Sequence, residues 1–113
     1  MQESILTSIK KLLGISEEYE HFDVDIIMHI NSVLMILTQM GVGPTEGYSI
    51  TGKYETWSDY LSDESRYQAV KSYMHHKVKL LFDPPTSSAV MEATNRIISE
   101  LEWRLNIAAE TTE

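Results

Sequence analysis

The sequence contains no cysteine. That excludes a disulfide framework and thiolate metal sites, and it suits a reducing compartment. Basic residues are scarce: nine Lys and Arg stand against seventeen Asp and Glu, a net charge of -8. A surface of this sign does not bind phosphates broadly, which leaves room only for a local basic patch. No apolar run approaches the roughly 18 residues of a membrane span, so no membrane association is expected. The opening Met1-Gln2-Glu3-Ser4 puts no positive region ahead of an apolar stretch, so no signal peptide is expected. The 113 residues suit one domain, 1–113, able to hold a core without staples.

Apolar residues recur at helical spacing in four places. Ile5, Leu6, Ile9, Leu12 and Leu13 share one face, and Gly14 stands where a helix stop belongs. Lys10 and Lys11 then sit at the negative C-terminal end. After an acidic link, Asp23 is read as the N-cap of a second helix. Its stripe runs Ile26, Ile27, Ile30, Val33, Leu34, Leu37 and Met40 up to Gly41. Ser62 or Asp63 caps a third helix, with Tyr67, Val70, Met74, Val78 and Leu81 along its face. It stops at Asp83, because Pro84 and Pro85 cannot continue it. Thr86, Ser87 and Ser88 offer caps for a fourth helix, striped by Val90, Ala93, Ile97, Leu101, Leu105 and Ala108. Ile98 and Trp103 fall off this stripe, and the tail from Glu110 to Glu113 is polar and expected to fray. The dispersed methionines, Met28 and Met35 included, are read as core filler.

Residues 41–56 differ. Gly41, Gly43, Pro44, Gly47 and Gly52 break any helix, and the alternation from Tyr48 to Tyr54 allows a small β-hairpin. Trp57, Tyr60 and Leu61 mark a helical turn packed on the core. The predicted fold is all-α: a small bundle of about four helices, with a long C-terminal helical hairpin and one irregular glycine-rich loop.

The segment Leu80-Leu81-Phe82-Asp83-Pro84-Pro85-Thr86-Ser87-Ser88-Ala89-Val90-Met91-Glu92-Ala93 resembles phage head–tail connector proteins. So do Ile98-Ser99-Glu100-Leu101-Glu102-Trp103-Arg104-Leu105, Ile26-Ile27-Met28-His29-Ile30-Asn31-Ser32 and the loop Gly41-Val42-Gly43-Pro44. The resemblance covers nearly the whole chain. It implies a structural virion subunit at the head–tail junction, encoded by a phage or prophage and assembled in the host cytoplasm. Such subunits form a ring, commonly twelve-fold, on the portal protein. The ring extends the DNA channel, passes the genome without binding it specifically, and presents a surface to a tail or head-closure protein. The resemblance brings no catalytic residue and no cofactor.

Contact residues are read from the chain itself. Lys71, His75 and Lys79 are spaced by four on one face of the third helix, the one basic stripe of an acidic protein. It reads as a solvated face paired with nearby acids, as a contact between copies, or as a channel contact with DNA. Tyr48, Ile50 and Tyr54 stand in the glycine loop, which either packs back locally or is a contact loop, mobile until assembly. Trp103 flanks its helix stripe and is read as core first, contact second. Pro84 and Pro85 form a structural hinge that sets the hairpin angle. Asp25 and His29, one turn apart, lack a metal-binding motif, and Asp23 and Asp25 suit a helix start. No nucleophile elbow, P-loop or dinucleotide fingerprint occurs, so catalysis is not expected. The alternative is a small helical regulatory or nucleic-acid-binding protein, disfavoured by the acid excess.

Overall fold

The computed structural model describes residues 3–62 and 64–111. Asp63, one of the two expected caps, lies outside the described residues, as do Thr112 and Glu113 of the tail.

Among the described residues five helices follow in order: α1 (Ile5–Leu12), α2 (Asp23–Gln39), a single turn α3 (Trp57–Tyr60), α4 (Tyr67–Phe82) and α5 (Ser88–Thr111). A 3-10 turn at Glu64–Arg66 leads into α4. The described residues form no strand pair in the glycine loop. The one β-bridge joins Ser4 to Thr56 and ties the chain start to the entry of α3.

Local chemistry explains the helix ends. The Ser4 hydroxyl accepts from the Thr7 amide and caps α1. Thr56 and Asp59 form a reciprocal capping box on α3. Ser87 caps α5, its hydroxyl accepting from the Val90 amide. Asp23 is the first residue of α2 and not its cap, which is Phe22. The Asp23 carboxylate is turned away from the helix start toward Lys10, 2.8 Å off.

That lysine is the least expected core residue. Lys10 is only 2% exposed. Its ammonium donates to the carbonyls of Glu17 at 3.0 Å and Tyr19 at 2.7 Å. Asp23 is held by charge, without an aligned hydrogen bond. One side chain on α1 thus anchors the acidic link and the start of α2.

The central helix is α4, which packs against α1, α2 and α5. Ile26, Ile30, Val33, Leu34 and Leu37 of α2 meet Val70, Tyr73, Met74 and Val78 of α4 in one continuous core. Trp57 is fully buried beneath them, and its indole N–H donates to Ser8 Oγ at 2.8 Å. Ser8 in turn donates to the Ile5 carbonyl. Gly43, at φ +82°, lies against Tyr60, where an added Cβ would come within 2.5 Å of the ring. Only glycine fits both the backbone angle and the space.

The hairpin forms as expected, with Asp83 ending α4 and the two prolines turning the chain. Its rotation follows the predicted stripe only in part: Leu101 and Leu105 turn inward as expected, and Ile98 takes the place expected of Ile97. Ile98 and Leu105 are buried on α5, whereas Val90 and Ile97 are exposed. α5 touches the rest of the bundle mainly through α4, so its hinge and its contacts with α4 set which line of residues turns inward. Tyr73 of α4 holds that rotation by donating to the Glu102 carboxylate of α5 at 2.8 Å. Leu81, at the end of α4, is exposed, while its neighbour Phe82 packs edge-on against Phe22.

Candidate assembly surface

The basic stripe of α4 sits between α1 and the hinge. Lys71 pairs with Glu3 at 3.2 Å, and Lys79 pairs with Asp83 one turn on at 2.8 Å. Burial pushes the Glu3 carboxyl up, but the bonds from Lys71 and Lys11 outweigh it and hold it below the usual range. Burial also pulls Lys71 down, and here the bonds it donates to Tyr67 and Glu3 prevail and raise it. Both lysines of the stripe therefore have acidic partners inside their own chain.

His75 and His76 stand beside each other, ring centroids 4.9 Å apart, over an open groove of about 470 Å³ between α4 and α5. Burial lowers the His75 pKa most, with help from His76 and Lys79, against an opposing bond to the Leu12 carbonyl. Burial alone lowers His76. A histidine with a depressed folded pKa favours the folded state above its unfolded value of about 6.5, and that advantage fades as pH falls through the folded value. The Tm is therefore expected to drop between about pH 7 and pH 5. His75→Gln/His76→Gln should flatten that slope in a thermal-melt series, and an unchanged slope would overturn the assignment. The carboxylates with lowered pKa act in a separate window, below about pH 4.5.

The glycine loop is packed back on the bundle. Asn31 of α2 clamps Ile50, donating to its carbonyl at 3.0 Å and accepting from its amide at 2.8 Å. Ile50 is 2% exposed and belongs to the core, so its expected contact role is corrected: an alkyl chain this withdrawn meets only its own subunit. Tyr48 is half-buried, its ring 5.2 Å from that of Tyr60. Tyr54 projects outward. The Glu55 carboxylate holds the Thr51 amide and hydroxyl at 2.8 and 2.9 Å. These anchors favour local packing over a loop that waits for a partner.

Trp103 is 62% exposed, which overturns its reading as core. It points away from α4, on the face opposite Ile98 and Leu105. The contact residues expected from sequence thus fall in three places and do not converge on one site. A fourth place was missed. Met28 and Met35 are not core filler: with Val24 they form an exposed apolar line along the outside of α2. Their spacing, four and then seven residues, is the helical signal that marks a second face opposite the Ile26–Leu37 stripe. Beside Met35, α2 and the loop enclose an open groove of about 590 Å³. Asp25 is exposed and His29 half-buried on α2, and no cluster of three metal-binding side chains occurs among the described residues. No described helix is long and apolar enough to cross a membrane.

Apolar surface beyond the core thus lies on the outer faces of α2 and α5. The profile of the phage connector protein family matches residues 5–112. The chain belongs to that family. Searches of curated proteins and of solved structures returned no match. The connector match spans both halves of the molecule, including the hinge and the glycine loop. It makes this chain a structural connector subunit of a bacteriophage, all-helical like the fold read from its sequence.

Proposed function

We propose that this connector subunit closes a ring on the portal at the capsid vertex, extends the DNA channel and offers a docking surface to a tail or head-closure protein. The observation that carries this reading is the connector match over residues 5–112. The uncovered apolar faces support it, because a monomer gains nothing from leaving Trp103, Met28 and Met35 in water. The work is done by geometry and contacts, without catalysis or cofactor. Assembly takes place in the host cytoplasm, and the finished subunit sits at the head–tail junction. A net charge of -8 suits a channel wall along which DNA phosphates slide without sticking. In this reading Lys71, His75, Lys79, Tyr48, Tyr54 and Trp103 remain the contact candidates. Against a nucleic-acid-binding role stand the in-chain partners of Lys71 and Lys79.

Native mass spectrometry tests the proposal. The purified chain, alone or mixed with the portal protein of its own phage, is expected to give a closed multi-copy ring. A monomer in both samples, or a discrete dimer that shifts duplex DNA in a gel, would overturn it.

A further inference from the structure

The two exposed apolar lines have matching form. On α2, Val24, Met28 and Met35 face outward over eleven residues of helix, about 16 Å at the usual rise. On α5, Arg96, Glu100, Trp103 and Ile107 recur at four, three and four residues, again over eleven residues and about 16 Å. Both lines lie opposite the residues by which their helices join the core. The same subunit therefore carries two distinct faces, which is the requirement for a head-to-tail contact that repeats around a ring.

Charge selects the pairing. From residue 12 to residue 52 the chain has no Lys or Arg. That stretch carries Glu17, Glu18, Glu20, Asp23, Asp25 and Glu46. The start of α2 is thus acidic, and Lys10 beside it is buried and paired with Asp23. On α5, Arg96 is exposed and has no ion-pair partner among the described residues. An acidic face bearing methionines meets a face bearing a free arginine and a tryptophan.

We infer that the α5 face of one copy docks on the α2 face of the next, with the two helices running parallel. In this register Arg96 lies at the acidic start of α2, near Glu20 and Asp25 of the neighbouring copy. Trp103 falls between Met28 and Met35, where thioether sulfur packs well against an aromatic ring. Ile107 reaches the Met35 end. Trp103 is the anchor, since a tryptophan seated in an apolar seam carries a large share of such an interface. The inference rests on the ring reading above and names the surface by which the ring closes.

The absence of cysteine makes the test clean. Ser32→Cys and Asn106→Cys, exposed positions that flank the two lines and leave Met28 and Trp103 in place, are introduced singly and together into the full chain, and each protein is treated with a short bis-maleimide under assembling conditions. Both sites are exposed, so the variants are expected to melt within about 2 °C of the parent chain. The double variant should give a covalent ladder. Each single variant alone should stay uncross-linked, and a mixture of the two singles should give dimers only. A double variant that forms rings by native mass spectrometry yet gives no ladder would overturn this interface and leave the ring reading intact. Dimers from either single variant alone would show a two-fold contact and also overturn it. Absence of any assembly, with portal or without, would overturn the ring reading itself.

Discussion

Trp57→Ala is expected to lower the Tm of this connector subunit by about 12–20 °C. Trp57 is fully buried where α1, α3 and α4 meet, and its ring stands edge-on to Tyr67 at 5.6 Å. Removing it leaves a cavity as large as an indole, and such deletions cost about 3–5 kcal/mol. The Ser8 hydroxyl also loses its indole donor. A domain of this size shifts by about 4 °C per kcal/mol. Trp57→Phe separates the two effects, because it keeps most of the volume and removes only the N–H. It should cost about 1–2 kcal/mol. Calorimetric or circular-dichroism melts read both variants. A loss under 5 °C for Trp57→Ala would mean that the site is not the keystone of the core.

Lys10→Met is the second large effect, with an expected loss of about 3 kcal/mol, or roughly 12 °C. The methionine keeps the apolar stem, so packing along α1 is little changed. What disappears is the ammonium that holds two carbonyls and the Asp23 carboxylate. Asp23 is then left beside the core without its cation, the costly half of breaking a buried pair. The double variant Lys10→Met/Asp23→Asn should recover part of the loss. Chemical-denaturant midpoints test this, and a Lys10→Met midpoint equal to that of the parent chain would show that the link from residue 15 to 22 holds without its anchor.

Lys10 also marks where sequence reading stops. Beside Lys11, at the end of an amphipathic helix, it has the pattern of a solvated lysine that complements the helix dipole. Nothing in the pattern distinguishes it from its neighbour, because its partners are backbone carbonyls seven and nine residues away. Those carbonyls are brought to it by the path of the link. On α5 the same limit applies by a single residue. Ile97 and Ile98 are adjacent and equally apolar, and periodicity admits either at the centre of the buried face. The hinge at Pro84 and Pro85 and the Tyr73–Glu102 bond select Ile98. Met28 and Met35 were misassigned for a related reason: a helix apolar on two sides reads as buried all round, whereas here one of those sides faces out.

The order of the helices, the all-α class, the hinge and the connector family were determined by the sequence alone. They rest on local physics: periodicity of apolar side chains, caps, glycine and proline stops, and residue identities along nearly the whole chain. Tertiary structure decided the rotation of α5, the burial of Lys10 and Ile50, the pairing of Lys71 and Lys79 inside the chain, and the exposure of Trp103 and of the α2 line. Each of these depends on which residues distant in the chain are brought within a few ångströms. The candidate assembly surface belongs to this second group, because a contact face is whatever apolar surface remains once the core has taken its share.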